Sequence, residues 1–447
     1  MQINKIEIEN FKLFKEQTFE FNYKFNLIVG INGSGKTSLL RAIAVALGGW
    51  ANAYIKSDKN LRPIEDKEIR EIQIDNRFDK SKTTSIKAFG NSVIVDKNGE
   101  KKQGTAIWKR ERVEGDNETI LSAEIKYGNW NFSYPLNLKA LGSDILTYIE
   151  NDNTFDLPII AFYECNRLWI VENELNVEES AQIQYSRFDP YKDCFHTGAN
   201  HKAIGDWLLK EELSSLQNQK KSSLLEAIQK VARIALENCI NIKFDFEASR
   251  VMVEFEDNII IPFEHLSDGQ RTVLGLFCDI ARRMSILNPH LSAEDSLNGK
   301  GVVLIDELDL HLHPRWQRKI IDDLKNIFPN IQFIATTHSP HLIQDISPSE
   351  IIILEKESDS VKQRKLQANQ FGFKGWSVEE ILSDIMDLED TRTEVFNKML
   401  EEYEKAIEKE DYKLSKEIYK KLDKLLHPNN HLRELLKFDL ISIKDDE

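Results

Sequence analysis

The stretch "GINGSGKT", Gly30 to Thr37, constrains this chain more than any other. It follows the apolar run "KFNLIV" and precedes "SLLRAIAVAL", so it joins a buried strand to a helix that the sequence ends at Gly48-Gly49. Glycine, four residues, then Gly-Lys-Thr in that context is the spacing of a phosphate-binding loop. The glycines let successive backbone N–H groups turn inward around phosphate oxygens, and the helix N-terminus adds its positive end. Asn32, Gly33, Ser34, Gly35, Lys36, Thr37 and Ser38 are therefore the candidate nucleotide contacts. Lys36 would reach the β- and γ-phosphates, and Thr37 would ligate Mg²⁺.

A second element supplies the acidic half of the chemistry. "VVLIDE" is an apolar strand ending in Asp306 and Glu307. A carboxylate pair at the end of a buried strand is costly unless a metal or hydrogen bonds satisfy it. Asp306 is placed to hold Mg²⁺, and Glu307 to orient and polarise the attacking water. "FIATTHSP" ends another buried strand at His338, a candidate γ-phosphate contact. Lys36, Glu307 and His338 are the catalytic candidates.

Short apolar strands alternating with helices imply an α/β fold with a parallel or mixed sheet covered on both faces. The opening "INKIEIENFKLFKEQTFEF" alternates like a hairpin. The organisation expected is an N-terminal half-cassette (1–68), an inserted antiparallel β lobe (69–156), a strand and linker (157–199) and a helical insert or short arm (200–240). A C-terminal half-cassette (241–355) and a helical region (356–447) follow.

Composition narrows the function. The net charge of -15 argues against a protein that mainly coats DNA. The segment 77–112 runs the other way, at +6, and reads as a solvated face or a nucleic-acid contact. No apolar run approaches the roughly 18–20 residues of a membrane span, and the N-terminus has no apolar signal core. Cys165, Cys194, Cys239 and Cys278 form no CxxC pair. Together these features fit a cytoplasmic protein without a structural zinc site. Trp108, Trp130 and Trp169 read as core, and His311 and His313 as part of the acidic loop's neighbourhood rather than a metal site.

The order of motifs adds a resemblance. Between the phosphate loop and the acidic pair lies "LSDGQ", residues 266–270, and after the pair come Asp309 and His338. This order resembles the ATP-binding cassette (ABC) family, with Ser267, Gly269 and Gln270 matching its signature. In that family the signature caps the γ-phosphate held by a second subunit. The resemblance therefore implies a homodimer or higher oligomer with ATP and Mg²⁺ sandwiched between copies, and Asp309 as the residue crossing the interface. Physically, a serine hydroxyl, a glycine N–H and a helix N-terminus make an anion clamp.

"IENFKLF" resembles the RecF/SMC-type branch, which places Lys12 beside the nucleotide. "DELDLHLHPRWQRKII", "IATTHSPHLI" and "LPIIAFYECNRLW" resemble the overcoming-lysogenization-like and PtuA-type ATPases of Septu and retron anti-phage systems. The standard Q-loop is missing, and Glu164, Asn166 or Arg167 takes its place. The 200–240 insert would span about 60 Å as one helix, too short for SMC-style tethering. No strand ending in an acidic pair follows Ile353, so a Toprim nuclease domain is not expected, nor is DNA cutting by this chain alone. The resemblance implies an ATPase that regulates a separate HNH (PtuB-like) nuclease, with DNA or RNA engaged through the complex and no membrane. A RecF-like repair ATPase that binds DNA directly, and a nucleotide-sensing scaffold with negligible turnover, are the alternatives. The charged helices of 376–440 are a packed bundle or a docking surface for assembly.

Overall fold

A computed structural model describes residues 1–55, 61–74, 77–95, 101–115, 118–126, 146–147, 154–165, 186–195, 201–219, 222–357, 360–365, 372–388 and 390–444. They fall into two compact units, Met1–Ile381 and Leu382–Glu447. In chain order the strands begin with β1 (Gln2–Phe11), β2 (Phe14–Glu20), β3 (Phe25–Val29), β4 (Glu71–Ile74), β5 (Arg77–Lys80), β6 (Thr83–Val95), β7 (Lys101–Val113) and β8 (Ile120–Lys126). They continue with β9 (Ile159–Tyr163), β10 (Cys239–Asp245), β11 (Arg250–Phe255), β12 (Ile260–Pro262), β13 (Gly301–Ile305), β14 (Ile331–Thr336), β15 (Ile351–Lys356) and β16 (Val361–Arg364). The helices of the first unit are α1 (Lys36–Tyr54), α2 (Asp189–Lys192), α3 (His201–Asn218), α4 (Ser223–Ala235), α5 (Asp268–Leu287), α6 (Ala293–Leu297), α7 (Pro314–Ile327) and α8 (Pro340–Gln344). Helix α9 (Val378–Asp384) crosses into the second unit, which contains α10 (Glu394–Glu408), α11 (Tyr412–Leu425) and α12 (Leu432–Ser442).

A six-stranded sheet in the order β16-β15-β3-β14-β13-β9 forms the base of the first unit. Its strands run parallel except the edge strand β16, which pairs antiparallel with β15. Strands β3, β9, β13 and β14 are buried at every position. That burial explains why their sequences are mostly apolar rather than alternating, and the buried amides Asn26 on β3 and Gln332 on β14 are hydrogen-bonded to backbone carbonyls. The carboxyl ends of these four strands gather the functional residues, as open α/β sheets do. Strand β14 lies between β3 and β13, so Thr336 is interposed between the phosphate loop and the acidic pair.

The second sheet is antiparallel, in the order β2-β1-β6-β7-β8. The β lobe expected at 69–156 is therefore not a separate insertion. Strands β6, β7 and β8 extend the N-terminal hairpin, with Ile8 opposite Ile86 and Ile6 opposite Ala88, while β4 and β5 pair with each other. Alternation shows that a strand has one buried face but does not show which strand lies beside it. Ile6, Ile8, Ile86 and Ala88 are all buried, and one continuous sheet lets them share a core.

Helix α1 is buried along most of its length. The Trp108 indole on β7 donates to Ala46 O at 2.9 Å, and its ring meets Trp50 edge-on at 5.8 Å. Trp108 is thus core, as expected, while Trp130 and Trp169 lie outside the described residues. The helix does not stop at Gly48-Gly49 but runs to Tyr54. A Cβ on Gly48 would stand 2.5 Å from Leu61 O. The glycine makes room for the chain that crosses the helix and does not end it.

The segment 200–240 also differs from a single arm. Helices α3 and α4 are two separate pieces, and strand β10 begins at Cys239. Trp207, Leu208, Leu209, Ile228 and Val231 are buried. Glu212 accepts the Phe244 N–H at 2.9 Å, and Gln229 donates to Ile242 O at 3.4 Å, which ties both helices to β10. The apolar periodicity was that of packed helices, and packing replaces the 60 Å extension.

The C-terminal boundary moves as well, since β16 falls inside the range 356–447 expected to be helical. The second unit has its own core of Phe396, Tyr403, Ala406, Ile418, Leu422, Leu426 and Leu436. The Tyr403 hydroxyl donates to Leu436 O at 2.5 Å and joins α10 to α12. Among the described residues no helix is long and apolar enough to cross a membrane.

Candidate nucleotide site

The phosphate loop is built as its sequence implies. Gly33 and Gly35 hold φ values of 79° and 93°, in the region that favours glycine. A Cβ on Gly30 would lie 2.4 Å from Leu354 O and 2.6 Å from Ser34 Oγ. Asn32 and Gly33 form the exposed tip, and Ser34, Gly35 and Lys36 lie beneath it. Ser34 N–H donates to Ile31 O at 3.2 Å and tightens the turn. No side chain caps the start of α1, so its first N–H groups face the loop. Thr37 and Ser38 are half-buried on the first turn of α1. The Lys36 ammonium donates to Gly30 O at 2.7 Å and Ile31 O at 3.1 Å.

The metal candidates meet directly. Thr37 Oγ1 lies 3.0 Å from Asp306 Oδ2 and 3.2 Å from Oδ1. Asp306 is buried, and its other anchor is the Thr336 hydroxyl, which donates to Oδ1 at 2.6 Å. A hydroxyl and a carboxylate are hard oxygen donors suited to Mg²⁺, which takes one or two protein ligands plus phosphate and water. The buried Ser34 hydroxyl, which has no hydrogen-bond partner among the described residues, adds a polar group to the same loop. The residues therefore fit a magnesium nucleotide. His313 instead accepts the Arg315 N–H at 3.3 Å and caps α7.

Glu307 has φ 51°, an unusual backbone for a side-chain-bearing residue, and its N–H donates to Thr336 Oγ1 at 2.8 Å. Asp309 has a task inside its own chain that sequence alone did not assign. Its Oδ1 accepts from the Thr337 hydroxyl at 2.6 Å and from the His338 N–H at 3.2 Å. His338 is exposed, yet its pKa is lowered, first by desolvation and then by Lys36. Asp309, Glu307 and Asp306 oppose the shift. Lys36 is likewise lowered by burial, against the pull of Asp306, Glu307 and Asp309.

Lys12 sits in the β1–β2 turn at φ 49°, with its N–H on Glu68 O at 2.8 Å. The turn packs on the phosphate loop, since a Cβ on Gly35 would be 3.2 Å from the Phe14 ring. The Lys12 pKa is lowered, chiefly by burial and then by Arg41. Arg41 is not among the residues singled out from the sequence. It lies one turn beyond Thr37 on α1 and pairs with Glu164 at 3.6 Å. Its signal was the spacing of four from Thr37, which puts both on one helix face. Glu164 follows the last residue of β9, beside the acidic pair. Asn166 and Arg167, the other Q-loop candidates, lie outside the described residues.

The stretch 266–270, which resembles the ABC signature, opens α5. Ser267 and Gln270 form a capping box, with Gln270 N–H on Ser267 Oγ at 3.3 Å and Ser267 N–H on Gln270 Oε1 at 3.0 Å. A Cβ on Gly269 would lie 2.6 Å from His311 O and 2.9 Å from the Trp316 ring. Within its own chain the stretch caps α5, and its glycine lets α5 touch the loop that follows the acidic pair.

A glycine-rich strand–loop–helix, with a buried aspartate on the threonine hydroxyl, has the geometry of a P-loop nucleotide site on an α/β fold. A family profile described as AAA ATPase domain matches residues 1–343, and the chain belongs to that family. Septu protein PtuA of Bacillus thuringiensis is 40% identical over 181 residues, spanning 40% of this chain and 46% of that protein. The chain thus covers less than half of that relative. The Retron Vc95 probable ATPase of Vibrio cholerae serotype O1 biovar El Tor is 28% identical, over 83% of this chain and 77% of that protein. Among solved structures, an SMC head bound to the C-winged helix domain of ScpA aligns at 15% identity with a TM-score of 0.46, over 82% of this chain and 98% of that one.

Proposed function

We propose that the chain hydrolyses ATP with Mg²⁺ between two copies of itself and that this cycle controls an associated HNH-type nuclease in anti-phage defence. The observation that carries the ATPase part is the Thr37–Asp306–Thr336–Glu307 arrangement. The Thr37 and Thr336 hydroxyls fix Asp306, and Thr37 and Asp306 would hold the Mg²⁺. Bound Mg²⁺ would neutralise phosphate charge. The first N–H groups of α1 bind the phosphates, Lys36 reaches toward the γ-phosphate, and Glu307 orients the attacking water. His338, favouring its neutral form, contacts the γ-phosphate as a hydrogen-bond partner.

The signature residues Ser267, Gly269 and Gln270 would clamp the γ-phosphate held by the second copy, and Asp309 would lie at the same interface. Opening and closing of that clamp is a population shift that a partner protein can read. The likeness to the Septu and retron ATPases supports the defence role and the nuclease partner. The test is co-purification with an HNH protein encoded beside this gene, followed by DNA cleavage assays with and without ATP. Nucleotide-dependent cutting by the pair, and none by this chain alone, supports the proposal. Salt-sensitive DNA binding and cutting by the isolated chain would overturn it.

A further inference from the structure

The strongest unassigned feature is a buried polar cluster that joins the signature helix to the end of β9. Asp279, in the middle of α5, is completely buried. Its Oδ1 accepts from Arg282 at 3.0 and 2.6 Å, and its Oδ2 from Arg283 Nε at 2.7 Å. Arg283 reaches on to Asp193 at 2.8 and 3.2 Å and to Pro190 O at 2.9 Å. The Tyr163 hydroxyl donates to Asp279 Oδ2 at 2.8 Å.

Tyr163 occupies an unusual place. It is the last residue of β9, it precedes Glu164, and its carbonyl accepts the Asp306 N–H at 2.8 Å. One end of this residue holds the backbone of the metal-binding aspartate, and the other holds the helix that begins at the signature. Ser267 and Asp279 are twelve positions apart on one helical run, about 18 Å along the axis. A helix of that length moves as a rigid body, so a shift at the signature is felt at Asp279. The hydroxyl is not required to satisfy the carboxylate, which already has three guanidinium N–H bonds. Burial and the neighbouring Asp279 raise the Tyr163 pKa well above its usual value, so the phenol stays a donor.

We propose that Tyr163 is a positioning residue that couples the signature helix to the Asp306 strand end, so that clamp closure and alignment of the hydrolytic carboxylates occur together. This rests on the two-copy ATP sandwich proposed above. Tyr191 provides a control, because its buried hydroxyl donates to Pro158 O at 2.6 Å without reaching α5 or β13.

The experiment uses the full-length chain with Tyr163→Phe or Tyr191→Phe, each alone and combined with Glu307→Gln. ATP affinity is read by titration of a fluorescent ATP analogue at dilute protein, dimerisation by mass photometry with ATP and Mg²⁺, and turnover by phosphate release. For Tyr163→Phe the expected result is ATP affinity within about twofold, dimerisation weakened about tenfold and kcat reduced about tenfold at constant KM. Tyr191→Phe should lower only the melting temperature. If Tyr163→Phe merely melts earlier, with dimerisation and kcat unchanged, its hydroxyl is a core hydrogen bond and the inference fails. If ATP affinity falls together with dimerisation, the effect is local damage and the inference also fails. If the Tyr163-intact protein shows no ATP-dependent dimer, the sandwich reading itself is overturned and the coupling with it.

Discussion

The Thr336 hydroxyl donates to Asp306 Oδ1 at 2.6 Å while accepting the Glu307 N–H at 2.8 Å. One buried hydroxyl thus fixes both acidic residues, the second of them in a left-handed backbone conformation. Such a conformation costs of order 1–3 kcal/mol and persists only where the surroundings hold it.

Thr336→Val keeps the shape and removes both bonds. We expect ATP turnover to fall at least tenfold, since losing one hydrogen bond to a charged group amounts to about 1.5–3 kcal/mol and tenfold in rate is about 1.4. Steady-state phosphate release, compared with melting of the same protein, checks this. Unchanged turnover would mean that Asp306 and Glu307 hold their places without Thr336.

Gly269→Ala tests the contact between the signature and the loop after the acidic pair. The added methyl would stand 2.6 Å from His311 O, a backbone atom that cannot swing away. The expected cost is about 1–3 kcal/mol of stability, with a loss of turnover that exceeds the loss of ATP binding. Thermal melting and nucleotide titration separate the two. Gly33→Ala is a useful contrast, because its Cβ meets open space and its penalty comes from φ 79° alone.

The motif residues were legible because their chemistry fixes their spacing. Gly30 to Thr37, Asp306, Glu307 and the capping serine Ser267 all lie where local sequence places them. What escaped depends on which elements become neighbours. Thr336 matters only because β14 lies between β3 and β13, and Tyr163 only because β9 borders β13 and faces α5. Arg41 meets Glu164 across α1 and β9. Gly48 and Gly49 looked like a helix end because a glycine's local preference was visible, while the crossing chain at Leu61 was not. The short arm failed in the same way, since an amphipathic helix announces a buried face without naming its partner.

The depressed His338 pKa gives a pH dependence with a definite sign. Its ordinary value is about 6.5, and desolvation followed by the nearby Lys36 charge lowers it in the folded chain. The unfolded chain then binds the proton more readily, so stability rises with pH through this region. Above about pH 6.5 the imidazole is neutral in both states and carries no penalty; as pH falls toward the folded value, stability is lost. Acidification from pH 7 to pH 5 should therefore lower the melting temperature of nucleotide-free wild type by more than that of His338→Asn. A constant difference across that range would show that His338 does not titrate abnormally.

The second unit should fold by itself. Phe396, Tyr403, Ile418, Leu422 and Leu436 belong to one core confined to residues 382–447. A chain of that size is marginal but feasible. Residues 382–447 produced alone should give a helical circular dichroism spectrum with cooperative thermal loss. A coil spectrum would show that the core needs the remainder of the protein.

The most direct test of the central claim is mass photometry of full-length Glu307→Gln protein with and without ATP and Mg²⁺, beside the same protein carrying Ser267→Arg. The carboxylate-to-amide change should slow hydrolysis and hold the nucleotide-bound state. The result expected is an ATP-dependent dimer or larger assembly that the added arginine in the signature abolishes while ATP still binds. A particle size indifferent to ATP, or an assembly unaffected by Ser267→Arg, would contradict a nucleotide site completed by the signature of a second copy.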